Sequence, residues 1–284
     1  MIEERIFVVG CSRSGTTLLQ VLLASHPDVR SFPETNFFLT ATGGRRQILA
    51  RMGLPTGLEP NAIRHTLDLL DVSPENSQVP NFFLSFPSAV RRYVDILDTV
   101  AINEGKSKWV EKTPLHLHRI EFIERFVDDP KFVHIIRDGR DVVASIRDRA
   151  EKYPDRFGWQ KDLSYGIELW NEAIEKSKSY LGYPRHVFTT YERITTNTKF
   201  EMQRLCNELG IEFSSLMVEG DSKTKNKIVP NNKPWIHNAK KEPDTNKERK
   251  FDKLFSNEKR EMIKSGLKID KMKKIKQKIK NNYI

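Results

Sequence analysis

Apolar residues along this chain fall into short unbroken runs, separated by stretches whose apolar positions recur at helical spacing. The runs at 6–9, 108–110, 132–136 and 186–190 are rich in β-branched and aromatic side chains and predict strands. Runs without polar alternation suit strands covered on both faces. The spacing predicts helices at 16–25, 117–127, 140–150, 163–181 and 198–209. Strands alternating with helices define an α/β fold with a mainly parallel sheet flanked by helices. Residues 43–81 carry Pro55, Gly57, Pro60, Pro74 and Pro80 and read as less regular, opening an irregular helical insertion over the sheet that extends through 43–105.

Past residue 220 the chain turns rich in Lys, Asn and Asp, and Pro230, Pro234 and Pro243 exclude a long helix before residue 250. Residues 257–280 then place Met262, Ile263, Leu267, Met272, Ile275 and Ile279 near helical spacing, with Lys on the other faces. The expected organisation is one domain: an α/β body at 1–222, and a Lys-rich loop and helix at 223–284 packed on it.

The chain has 284 residues, 38% of them apolar, enough for one substantial core. Its net charge of +10 is uneven, because residues 223–284 hold 20 Lys or Arg against 7 Asp or Glu. The basic character therefore belongs to the tail, and nucleic acid is not the expected partner. Cys11 and Cys206 stand alone, without the spacing of a disulfide framework or a zinc site. No stretch approaches 18 apolar residues, so a soluble, cytoplasmic protein is expected.

Chemistry enters at residues 6–19, IFVVGCSRSGTTLL. A strand breaks at Gly10, turns through Ser12 to Gly15 and enters a helix at Thr16, which aims backbone N–H groups and a helix dipole at one anion. The spacing is that of the phosphate loop of nucleotide triphosphatases, but Thr16 stands where their Lys would be. A nucleotide kinase or ATPase is thereby disfavoured; a non-enzymatic nucleotide-binding module with a basic tail is the other alternative, which steeply salt-dependent binding to DNA or RNA would favour.

A second strand–turn–helix follows at 132–145, FVHIIRDGRDVVAS. Arg137 closes the strand where ligands of open α/β sheets collect, and Ser145 lies in the next helix; together a guanidinium fork and a hydroxyl can grip a phosphate monoester. Asp138 and Asp141 read as members of a salt-bridged turn.

SRSGTTLL together with IIRDGRDVVAS resembles the two donor-binding signatures of the 3′-phosphoadenosine-5′-phosphosulfate-dependent sulfotransferases, and is most similar to the tyrosylprotein branch and its bacterial relatives. The resemblance spans residues 5–210. It implies a P-loop-like fold in which Arg13, Ser14, Gly15, Thr16 and Thr17 hold the 5′-phosphosulfate, and Arg137 and Ser145 hold the 3′-phosphate. It puts Glu34, in HPDVRSFPET, in the role of catalytic base, and Lys112, in WVEKTP, beside the transferring sulfonate with Arg13. Tyr191 matches a donor-contacting tyrosine. The resemblance implies sulfonate transfer without a metal, leaving 3′-phosphoadenosine-5′-phosphate. The acceptor hydroxyl stays open between a peptide tyrosine, a sugar and a lipid-linked group. His26, His116 and His118 are expected to be structural, although His116 lies near Lys112 in sequence and could reach acceptor. Trp159, Trp170 and Trp235 are expected in the core or a lid, and Lys233 is a weak candidate for donor contact.

Overall fold

The computed structural model describes residues 1–72, 79–219, 228 and 249–281. Among these, five parallel strands form one sheet: β1 (Glu4–Gly10), β2 (Val29–Phe32), β3 (Lys108–Glu111), β4 (Pro130–Ile136) and β5 (His186–Thr190), in the order β2-β3-β1-β4-β5. The chain forms a single α/β domain. In β1 the pleat sends Ile6 and Val8 to one face, against Leu19 and Leu23 of the first helix and Leu205 and Leu209 of a later one. Phe7 and Val9 point to the other face, where Phe7 packs edge-on against Trp109 at 5.3 Å and stacks on Phe132 at 5.7 Å. Both faces are covered, which is why β1 reads as an unbroken apolar run.

Four strands lie where the apolar runs predict them. The fifth, β2, reads Val-Arg-Ser-Phe; it is an edge strand, so two of its four positions stay polar and the pattern gives no run. The insertion at 43–105, expected to be irregular and helical, contains two regular helices. A helix spans Glu59–Leu70, with Pro60 in its first turn, where a missing N–H costs nothing. A longer helix, Phe86–Asn103, begins the same way at Pro87 and is capped by Ser85. Pro60 and Pro87 start helices rather than break them.

Two helical expectations also divide. Residues 114–119 form a 3-10 turn ahead of the helix Ile120–Phe126. The terminal stretch is two helices, Asn257–Gly266 and Ile269–Asn281, separated at Leu267. Their apolar residues Ile263, Leu267, Met272, Ile275 and Ile279 join the same cluster as Phe7 and Trp170. Lys227, Lys233 and Trp235 lie outside the described residues. Among the described residues no helix is long and apolar enough to cross a membrane.

Candidate active site

The site lies at the carboxyl ends of the strands, where β1 has β3 on one side and β4 on the other, the switch point of an open parallel sheet. Backbone geometry forces glycine at both ends of the first loop. A Cβ on Gly10 would meet the Ile135 carbonyl oxygen at 2.6 Å, and one on Gly15, at φ +95°, would meet the Tyr191 ring at 2.5 Å. Arg13 between them is held at φ +71°, a conformation that costs free energy for a residue with a side chain and recurs at functional sites. Gly15 caps the helix Thr16–Ala24, so its first-turn N–H groups face the loop's concavity. Thr16 is buried and Thr17 half-buried.

The two signatures interlock. Arg13 Nε donates to Ser145 Oγ at 3.2 Å, and Arg137 donates to the backbone carbonyl of Arg13 at 3.0 Å. The Arg137 guanidinium lies 4.1 Å above the Tyr191 ring, and its backbone carbonyl accepts from the indole N–H of Trp170 at 2.9 Å. Trp170 is thus a core residue that supports the second signature, whereas Trp159 is exposed. Asp138 caps the following helix and pairs with Arg140. Burial alone would raise its carboxyl, but the hydrogen bonds and charge of Arg140 hold it below the usual range.

Sequence reasoning missed Arg149. It follows Ser145 by four residues in the helix Gly139–Lys152, hence on the same face, and that spacing is the signal that could have found it. Its charge acts on Arg13, Cys11 and Glu34. Burial first, and then the charges of Arg149 and Arg137, lower the Arg13 guanidinium to about 10. Three cations crowded and partly desolvated in this way form a site that favours an anion. Arg137 Nε and Arg149 Nε are buried without a hydrogen-bond partner, which is the state expected of groups built to receive one.

Glu34 and Lys112 meet beside this site. Phe32 at the end of β2 is in register with Glu111 at the end of β3, so the residues just beyond both strands become neighbours. Lys112 Nζ donates to Glu34 Oε1. The ammonium is buried, while half of the Glu34 side chain is exposed. Beneath the pair, buried Glu111 accepts from Thr35 N–H at 3.2 Å, Thr35 Oγ at 3.0 Å and Thr113 Oγ at 2.5 Å. Its second oxygen meets His116 Nδ1 at 3.1 Å. Burial would raise the Glu111 carboxyl, but His116 and these hydrogen bonds hold it below its ordinary value. Glu111 therefore ties together the residues flanking Glu34 and Lys112. A lone acid at the end of an apolar strand, it was missed because Thr35 comes from another strand end and the turn that brings His116 back onto it is set by packing.

His116 is fully buried against Phe7 and Phe38, so its place is in the core. His26 accepts from Asp28 N–H at 3.1 Å and donates through Nε2 to the Glu212 carbonyl at 2.9 Å, pinning the turn into β2. Burial lowers His118. Among the described residues, no group of three or more His, Cys, Asp or Glu is placed to hold a metal ion.

Fold and site together define a P-loop-like α/β protein with two interlocked arginine-bearing loops and a carboxylate–ammonium pair beside them. The model of the sulfotransferase family matches residues 5–215, and the chain belongs to that family of group-transfer enzymes. It is 26% identical over 218 residues to protein-tyrosine sulfotransferase 2 of Gallus gallus and 29% identical over 174 residues to protein-tyrosine sulfotransferase 1 of Homo sapiens. These matches cover 75% and 60% of this chain but only 53% and 40% of those relatives. Among solved structures, the sulfotransferase domain from the curacin biosynthetic pathway superposes with a TM-score of 0.53 at 16% identity, over 89% of this chain and 96% of that one. The sulfotransferase domain of the Synechococcus PCC 7002 olefin synthase gives 0.51 at 20% identity, over 89% and 93%. These likenesses establish the fold.

Proposed function

We propose that the chain transfers a sulfonate group from 3′-phosphoadenosine-5′-phosphosulfate to a hydroxyl acceptor, and that the acceptor class is a tyrosine side chain in a peptide. The observation that carries the donor is the interlock of Arg13 and Ser145 with Arg137 over Tyr191, which leaves a buried Arg137 Nε–H for a second anion beside the loop. Two anion sites on neighbouring strand ends suit a nucleotide that is phosphorylated at both 5′ and 3′ positions. The acceptor class is supported by the names of the relatives.

The donor supplies the sulfonate on its 5′-phosphate. The N–H groups of Gly15 to Thr17 and the dipole of the first helix hold that phosphate, and Arg137, Ser145 and Arg149 receive the 3′-phosphate. Glu34 uses one oxygen to hold Lys112, leaving the other for the acceptor hydroxyl. As the hydroxyl oxygen bonds to sulfur, its proton passes to Glu34, and the bond from sulfur to the 5′-phosphate oxygen breaks. Lys112 and Arg13 stabilise the negative charge that grows on the departing oxygen.

Calorimetry with 3′-phosphoadenosine-5′-phosphate, AMP and ATP tests the donor. The expected result is metal-independent preference for the 3′-phosphorylated nucleotide, lost in Arg137→Ala. Mg²⁺-dependent binding of ATP instead would replace this reading with a nucleotide kinase or ATPase. Transfer of radiolabelled sulfonate to a tyrosine peptide, against a glycan and a lipid-linked hydroxyl, then tests the acceptor.

A further inference from the structure

The turn that carries Arg137 is tied to the far end of the chain. Glu192, next to Tyr191, divides its carboxylate between two partners. Oε1 accepts the N–H of Asp138 at 2.9 Å, and Oε2 lies 3.3 Å from Nζ of Lys276 in the helix Ile269–Asn281. Arg137 is thereby held on both sides of its own residue, its carbonyl by Trp170 and the next amide by Glu192. The helix that brings Lys276 is itself fixed. Met272, Ile275 and Ile279 are buried in the core, and Lys268 and Lys271 pair with Glu175.

Charge gives this contact a consequence. Asp138, Asp141 and Glu192 gather behind Arg137, where a dianionic 3′-phosphate is expected, and uncompensated carboxylates there would repel it. Arg140 pairs with Asp138, and further counter-charge comes from the C-terminal segment: Lys276 beside Glu192, within electrostatic reach of Asp138, and Arg249, 3.9 Å from Asp138 and within reach of Asp141. Asp141 shows what burial and the neighbouring acids do, since its carboxyl is raised by burial first and then by Asp138 and Glu192, against Arg137 and Arg249.

We infer that Glu192 and Lys276 are positioning residues for the 3′-phosphate. The C-terminal helix holds the Arg137 turn in register and neutralises the acids behind it, so recognition of the 3′-phosphorylated nucleotide depends on Lys276. This inference rests on the donor proposed above. Stability is not the reason for the pair: its partners are 35% and 39% exposed, and such pairs contribute at most about 1 kcal/mol.

The test measures affinity for 3′-phosphoadenosine-5′-phosphate and for AMP, together with the melting temperature, in the full chain and in Lys276→Glu and Lys276→Arg. Lys276→Glu should weaken the 3′-phosphorylated nucleotide roughly tenfold or more while AMP affinity and melting temperature stay near wild type, and Lys276→Arg should restore binding. An unchanged preference for the 3′-phosphorylated nucleotide in Lys276→Glu overturns the inference and leaves the donor reading standing. Equal loss for both nucleotides with a lowered melting temperature also overturns it, since that is a purely structural role. Wild-type protein that does not distinguish the two nucleotides overturns the donor reading, and this inference with it.

Discussion

Arg137 donates a hydrogen bond to the backbone carbonyl of Arg13 at 3.0 Å, while Arg13 reaches back to Ser145 at 3.2 Å. Each signature thus holds the other's arginine, and neither of the proposed anion sites is formed by one segment alone. Damage to one loop should therefore be felt at the other.

Gly15→Ala tests this. The new methyl group would overlap the Tyr191 ring, and at φ +95° a side chain is strained by about 1–3 kcal/mol. The loop must shift, carrying Tyr191 away from Arg137. Affinity for 3′-phosphoadenosine-5′-phosphate should fall by more than roughly tenfold in calorimetry, with the helical circular dichroism spectrum retained. Wild-type affinity would show that the loop and Tyr191 do not act on the nucleotide.

Glu34→Gln keeps the size of the side chain and removes its capacity to accept a proton. Turnover should drop by roughly 10²–10⁴-fold, the range for losing a general base, while nucleotide affinity stays near wild type. Steady-state kinetics beside calorimetry separates the two. Full turnover in this variant removes Glu34 from the mechanism.

A buried histidine chain predicts acid sensitivity. His186 donates through Nε2 to Glu124 at 3.0 Å, so its Nδ1 accepts from His134 Nε2–H at 2.9 Å. Burial, and then the charge of His186, holds His134 well below the usual imidazole range. The folded protein keeps His134 neutral, whereas the unfolded chain binds a proton near pH 6.5. Stability is then complete above about pH 6.5 and declines as pH falls below it, by up to about 1.4 kcal/mol per pH unit for this proton. Urea midpoints between about pH 8 and 5.5 measure the decline. His134→Gln, which keeps a donor to His186, should show a shallower one; an equal slope would assign the decline to other groups.

Ile275 is fully buried in the last helix. Ile275→Ala should lower the unfolding free energy by about 2–5 kcal/mol, whereas Lys278→Gln, on the exposed face, should change it little. Chemical denaturation decides this, and equal, small effects would mean that the helix is not part of the cooperative core.

What is local in this protein can be read along the chain. Strands buried on both faces announce themselves as apolar runs, and Gly10, Arg13, Gly15, Arg137 and Ser145 lie in strand–turn–helix segments whose backbone chemistry can be read from neighbours in the chain. Local pattern could not show β2, half polar at an edge, or that prolines at 60 and 87 open helices. Tertiary structure alone decided which distant groups meet. Strand register brings Glu34 to Lys112 and sets Glu111 beneath both, a helical face turns Arg149 toward Arg13, and a core-packed terminal helix delivers Lys276 to Glu192. The physical reason is that propensity and spacing act over a few residues, whereas register, burial and charge pairing are fixed only when segments far apart in the chain pack against one another.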